Sequence, residues 1–304
     1  MKVFVTGATG FVGGHLVSEL LRRCWKVVAL TRRRGRADAP GLRYVQGDIG
    51  DVDLLAAELQ GAQALIHLAS SLGSALIPRA EFFRVNAHGT RSLLEAASAA
   101  GVKVILHFSS AGVLGHVPRG DVAAEDYPLR PRDVYDRSKL EGEMIALEYA
   151  RRGLDVRVIR PGWIYGPGDK RTFKLVRAVA RGMFLLPGRG KTLQTPVHID
   201  DLIDGTLLCL EFGRRGEIYH LAGEEPLSVR DMVGSVARAA GRKPPRLRLP
   251  LPPVRAAAWL LGTAFRLVKR EAPLSPSRLA FFVHPKPLSS RKAALELGYR
   301  PRVK

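Results

Sequence analysis

Tyr135 and Lys139 stand four residues apart in the run Tyr135-Asp136-Arg137-Ser138-Lys139. On a helix that spacing puts both on one face, where an ammonium beside a phenol favours the phenolate. Such a pair can move a proton near neutral pH. The same spacing is met on many solvated helix faces, so position has to decide. Here the pair follows the apolar run that ends in Phe108-Ser109-Ser110, which brings a hydroxyl to a strand end just upstream.

A second pattern opens the chain as Thr6-Gly7-Ala8-Thr9-Gly10-Phe11-Val12-Gly13. Gly7 permits a tight turn, Gly10 lets the backbone approach a pyrophosphate, and Gly13 lets a helix lie close on the preceding strand. The amides and positive dipole end of that helix then face the phosphates. About 20 residues further on, a sheet of this kind presents the residue that reads the adenosine ribose, an acid for NAD or an arginine for NADP. The run here is Leu30-Thr31-Arg32-Arg33, and Arg32 or Arg33 would pair with a 2′-phosphate, so NADP is expected over NAD.

These residues need a scaffold, and the hydrophobic pattern supplies one. Short apolar runs at 2–6, 26–31, 42–48, 64–68, 102–109 and 155–160 alternate with helix-spaced stretches at 13–22 and 90–100. That is the βαβ repeat of an α/β, doubly wound parallel sheet with helices on both faces. The sheet domain is placed at 1–162, with contributions returning near 195–222. Residues 163–304 form a smaller, discontinuous substrate-binding region, with a helical stretch at 173–181 and a strand at 217–221. Pro244, Pro245, Pro250, Pro252 and Pro253 read as a stiff connection into an apolar helix at 256–268.

With 304 residues the chain can bury a large core without staples, and Cys24 and Cys209 form neither a disulfide framework nor a clustered zinc site. A cytoplasmic location is expected, since Met1 leads straight into a strand. The net charge of +20 comes from 48 basic and 28 acidic residues spread along the chain. No basic module interleaved with aromatics appears, so nucleic acid is not an expected partner. The apolar helix is too short to span a bilayer, yet its basic flanks would suit a membrane surface. The expected partner is a small-molecule substrate, with peripheral membrane contact and a homodimer as open possibilities. His67, His88, His107, His116, His198 and His220 are too scattered for a metal site, and none is expected.

Together these features resemble the extended short-chain dehydrogenase/reductase family, also called the NAD-dependent epimerase/dehydratase family. The likeness runs along nearly the whole chain. It includes the glycine turn, Gly47-Asp48-Ile49, His67-Leu68-Ala69-Ser70, Val85-Asn86-Ala87-His88-Gly89-Thr90, the stretch from Ser109 to Gly115, the Tyr135–Lys139 run, Arg160-Pro161-Gly162-Trp163-Ile164-Tyr165-Gly166-Pro167-Gly168 and Val197-His198-Ile199-Asp200-Asp201. The resemblance implies a Rossmann sheet and an NAD(P)-dependent oxidoreductase. It implies that Gly7, Thr9, Gly10, Phe11, Val12 and Gly13 hold the pyrophosphate. Asp48 and Ile49 would flank the adenine, and Leu68, Ala69, Ser70 and Pro161 would line the cofactor's path. Tyr135 and Lys139 would hold the nicotinamide ribose, Tyr135 would exchange the substrate proton, and Ser110 would hydrogen-bond the substrate oxygen. Asn86, Pro161 and Asp201 match positions taken as mostly structural.

Departures from the family pattern narrow the activity. Sugar-nucleotide dehydratases of this family carry an Asp-Glu pair after the catalytic hydroxyl residue, where this chain has Ala111 and Gly112. Epimerases often carry an Asn before the YGP element and an Arg before the last sheet motif, where this chain has Trp163 and the stretch Gln194-Thr195-Pro196-Val197. Lys170, Arg171, Arg189 and Lys191 lie near enough in sequence to replace that missing cation. The segment around Trp163, the apolar helix and the Phe281-Phe282 pair resemble the 3β-hydroxysteroid dehydrogenase and dihydroflavonol reductase branches. The expectation is hydride transfer at a secondary alcohol or ketone of a bulky apolar substrate. The alternatives are a nucleotide-sugar 4-epimerase with retained NAD, and a catalytically silent dinucleotide-binding subunit.

Overall fold

Val3, Phe4 and Val5 are all fully buried, so strand β1 (Lys2–Thr6) must run through the middle of a sheet that is covered on both faces. In the computed structural model, which describes residues 1–72, 76–245 and 247–303, that sheet has seven strands. They are β1, β2 (Lys26–Thr31), β3 (Leu42–Gln46), β4 (Ala64–His67), β5 (Val104–Phe108), β6 (Val156–Pro161) and, after four short strands, β11 (Ile218–Leu221). The short ones are β7 (Trp163–Tyr165), β8 (Leu186–Pro187), β9 (Leu193–Gln194) and β10 (Pro196–His198), followed later by β12 (Leu227–Ser228) and β13 (Arg248–Leu249). The order across the sheet is β11-β6-β5-β4-β1-β2-β3, and every pairing is parallel. The winding reverses between β1 and β4, which opens a crevice beyond their carboxyl ends.

Two apolar layers close on the sheet. On one side helices α1 (Phe11–Arg22), α7 (Ile199–Phe212) and α11 (Arg291–Leu297) bury Leu16, Leu20, Leu202, Tyr219, Leu297 and Tyr299 around Val3 and Val5. On the other, α2 (Val52–Glu58), α4 (Gly89–Ala99) and α5 (Val134–Arg151) bury Leu55, Leu93, Leu94, Ile145 and Tyr149 around Phe4. Between α2 and α4 the chain makes α3 (Arg79–Phe83) and a wide π turn (Arg84–His88).

The remainder builds small cores of its own. Helices α6 (Lys170–Ala180) and α8 (Val229–Ala239) pack around Val179, Leu186 and Val233. Helices α9 (Leu251–Leu267) and α10 (Pro276–Val283) meet at Val254, Ala258 and Leu279. One sequence expectation needs correction here. Pro252 and Pro253 belong to the first turn of α9 rather than to a connection, because a missing N–H there has no intrahelical acceptor to lose. Residues 291–299 return to the sheet layer, where the Tyr299 hydroxyl donates to the Ala222 carbonyl at 3.1 Å.

Candidate active site

The glycine turn sits at the mouth of the crevice. Gly7 has φ +71°, and a Cβ there would lie 2.7 Å from both the Ala69 nitrogen and the Leu68 carbonyl carbon, so the ends of β1 and β4 touch at this point. A Cβ on Gly13 would lie 2.2 Å from the Gly7 oxygen, which holds α1 directly against the turn. Gly10 caps α1 without a side-chain hydrogen bond, and the helix's first turn has no acidic residue. Its leading amides are thus left for an anion. Thr9, Phe11 and Val12 stay partly exposed around them. The His15 Nε2 meets the Pro167 carbonyl at 2.9 Å, bringing the segment after β7 over the helix start. A backbone cradle with no room for side chains and a bare helix terminus fits a dinucleotide pyrophosphate.

A buried relay holds the floor of this cradle. The Thr90 hydroxyl donates to the Asn86 carbonyl, so it accepts from His67 Nε2 at 3.0 Å. His67 Nδ1 then accepts from the Thr6 hydroxyl at 2.7 Å, and the Thr6 oxygen accepts the Ala69 amide at 3.1 Å. Burial, helped by the nearby Lys139 charge, holds the imidazole down at about 3, which keeps this tautomer neutral. Asn86 works beside it. Its amide oxygen accepts from the Ser70 hydroxyl and the Ser71 amide, while its nitrogen donates to the Ser71 carbonyl and the Ser138 hydroxyl.

At the ribose edge the charges are mixed. Asp48 accepts from Arg84 at 2.7 Å and from the Gly50 amide at 3.0 Å, and Arg84 holds its carboxyl below the usual range. Ile49 is buried against Gly89, where a Cβ would meet it at 2.5 Å. Arg32 and Arg33 are exposed beyond β2, with Arg32 at 3.9 Å from Glu81.

Asp133 caps α5 by accepting the Asp136 amide at 2.8 Å, which starts the helix so that Tyr135, Lys139, Gly142 and Glu143 face the sheet's carboxyl edge. The hydroxyls of Ser110 and Ser70 lie beside the Tyr135 phenol and favour its ionised form. Burial pushes this phenol up to about 12, with Ser110 pulling the other way. Lys139 shares this helix face and is held by the backbone of β5. The Lys139 ammonium donates to the Phe108 carbonyl, burial lowers it to about 8, and Glu143 holds it up. Ser110 accepts the Gly112 amide at 3.0 Å, leaving its own proton free to donate. A Cβ on Gly112 would fall 1.8 Å from an Asp136 carboxylate oxygen, so any side chain there would require Asp136 to move.

Behind these groups lies a charge pair that local sequence did not reveal. Arg160 and Glu143, both essentially inaccessible, join at 2.6 and 3.0 Å, and Glu143 also accepts the Ser109 hydroxyl. The only hint was that Glu143 follows Lys139 by one helical turn.

Beyond β6 the chain forms an aromatic cluster. Trp163 lies 4.7 Å from Phe281 between ring centroids and 6.2 Å from Tyr165, and Phe281 contacts Phe282 at 5.2 Å. Gln194, nearly buried, donates to the carbonyls of Phe281 at 2.8 Å and His284 at 2.9 Å, so it fastens the aromatic wall instead of facing a ligand. Next to the wall an open cleft of about 600 Å³ is lined by Arg189, Lys191, Arg248, Leu251 and Phe282. Arg171 is close enough to Tyr135 for its charge to favour the phenolate. Pro161 ends β6 opposite Leu221.

The profile of the NAD dependent epimerase/dehydratase family matches residues 3–222. A ketoreductase of a farnesylated dihydroquinoline oxide from Stigmatella aurantiaca is 31% identical over 100% of this chain and 93% of its own. A 3 beta-hydroxysteroid dehydrogenase/Delta 5→4-isomerase from Mycobacterium tuberculosis is 32% identical over 99% of this chain and 86% of its own. Among solved structures, the dTDP-glucose 4,6-dehydratase DesIV from Streptomyces venezuelae, with NAD bound, superposes with a TM-score of 0.77. It is 31% identical, covering 100% of this chain and 93% of that one.

Proposed function

This chain belongs to the NAD dependent epimerase/dehydratase family, and from that premise we propose that it is an NADP-preferring oxidoreductase acting on a bulky apolar ketone or secondary alcohol. The observations that carry this reading are the Ser110 hydroxyl beside the Tyr135 phenol and the aromatic contact of Trp163, just beyond the end of β6, with Phe281 of α10. A bound nicotinamide supplies or accepts the hydride at the carbinol carbon. Gly7, Gly10, Gly13 and the start of α1 would hold its pyrophosphate, Lys139 and Tyr135 its inner ribose, and Arg32 and Arg33 its 2′-phosphate.

Within this chain, Tyr135 is the proton donor to the substrate oxygen and Ser110 the second hydrogen bond to that oxygen. The phenol carries its proton at physiological pH, the form that ketone reduction needs, and burial makes it a weaker acid than a free tyrosine. The side chain absent at Gly112 removes the place where an eliminating acid would stand, and Gln194 is committed to Phe281 and His284. Both features weigh against sugar-nucleotide chemistry. The activities of these two relatives, on a farnesylated ketone and on a steroid, support an apolar substrate.

A second reading rests on the cations of the cleft. Arg189, Lys191 and Arg248 would suit a nucleotide diphosphate, as in an epimerase that keeps its NAD. Denaturing the purified protein and identifying released nucleotide separates the two. Retained NAD supports epimerisation, whereas an exchangeable NADP and NADPH-dependent reduction of steroid-like ketones support the reductase. Replacing Arg32 and Arg33 by Ala should lower kcat/KM for NADPH by about tenfold or more and leave NADH nearly unchanged. Equal losses with both nucleotides would remove the NADP preference.

A further inference from the structure

Helix α9 is apolar on two faces, and only one of them is covered. Val254, Ala258 and Phe265 point toward α10, with Val254 and Ala258 buried against Leu279. At about 100° per residue, Ala256, Trp259, Leu260, Thr263 and Leu267 share the opposite side. There Trp259 is 63% exposed, Leu260 59% and Leu267 81%. A helix of this kind is ordinarily buried all round.

The charges around that stripe are of one sign. Residues 247–270 contain Arg248, Arg255, Arg266, Lys269 and Arg270 and no carboxylate, in a chain whose net charge is +20. Arg255 and Arg266, both exposed, lie along one edge of the stripe, since eleven residues make close to three turns. Leu247, also exposed, precedes the helix. No helix among the described residues is long and apolar enough to cross a membrane.

We propose that this face of α9 docks in the plane of an anionic phospholipid surface, with Trp259, Leu260 and Leu267 inserted at the headgroup boundary and Arg255, Arg266, Lys269 and Arg270 on the lipid phosphates. A second copy is a poor occupant, because a two-fold contact through this face would set the same cations against themselves.

Flotation of the full chain with phosphatidylcholine vesicles, with and without phosphatidylglycerol, tests the proposal. The protein should float with the anionic vesicles only, with a blue shift of tryptophan emission, and be released by salt. Trp259→Ser with Leu260→Ser should lower partitioning by about tenfold or more, and so should Arg255→Glu with Arg266→Glu. Both pairs are exposed, and unchanged melting curves would confirm that each variant folds. Flotation that fails in the parent protein, or that persists in either folded double variant, overturns the proposal. So does a concentration-dependent dimer that the Trp259/Leu260 variant dissociates in a protein that ignores vesicles. None of these outcomes depends on turnover, so the proposal and the reductase reading fail separately.

Discussion

Glu143 and Arg160 form a two-pronged ion pair at 2.6 and 3.0 Å, with neither side chain reaching solvent, one helical turn behind Lys139. The pair ties α5 to β6 and places a negative charge where it supports the Lys139 ammonium.

Removing that charge should act twice. Glu143→Gln leaves Arg160 buried without its counter-ion and should destabilise the fold by about 3 kcal/mol or more, measured by urea unfolding. Without the anion the Lys139 ammonium is less favoured, so its pKa falls further below about 8. Activity that needs the ammonium should then decline at lower pH than in the parent. An alkaline limb that stays in place would show that Glu143 does not act through Lys139.

Tyr135→Phe removes the proposed proton donor and keeps the ring that meets Phe82 edge-on at 6.5 Å. Turnover should drop about 10²–10⁴-fold with little change in melting temperature. Ser110→Ala should cost about a hundredfold, since only one hydrogen bond to the substrate oxygen is lost. A Tyr135→Phe variant with ordinary kcat would assign the proton transfer elsewhere.

Two neighbouring glycines should behave oppositely. At Gly13 a methyl group would fall 2.2 Å from the Gly7 oxygen, so Gly13→Ala should disrupt the cradle and weaken nucleotide binding severely, as read by quenching of intrinsic fluorescence. Gly14 has open space around a Cβ, so Gly14→Ala should bind nucleotide normally and raise stability by up to about 1 kcal/mol. Similar binding losses in both would mean that the turn tolerates no change for some other reason.

Among the described residues neither ring nitrogen of the buried His107 has a hydrogen-bond partner, and burial beside Lys139 holds its pKa well below the usual value. The unfolded chain takes up a proton near 6.5 and the folded chain does not, so stability falls as pH drops below about 6.5. His67, held at about 3, adds to the same slope down to that value. Each contributes about 1.4 kcal/mol per pH unit within its window. His107→Leu should flatten the decline between pH 6 and 4 in pH-dependent unfolding, by about that amount per unit. An unchanged slope would mean that His107 is protonated in the fold or that it does not titrate in the unfolded chain.

What could be read before folding was local. Gly7, Gly10 and Gly13 announce a phosphate turn because their requirement is on the backbone itself, and Tyr135 and Lys139 announce a shared helix face because that depends only on a four-residue step. The alternation of short apolar runs with helical spacing likewise implied the parallel sheet, since strands buried on both faces carry continuous hydrophobic runs. The tertiary structure decided what these groups meet. Burial raises the Tyr135 phenol and turns Lys139 toward the Phe108 carbonyl, which no helical spacing specifies. Gln194 reaches Phe281 and His284 across almost ninety residues, and Arg160 finds Glu143 from another element altogether. The second face of α9 became visible only when α10 was seen to cover the first. Desolvation and partner choice depend on which surfaces pack together, and the order of residues along a chain fixes that only through the complete fold.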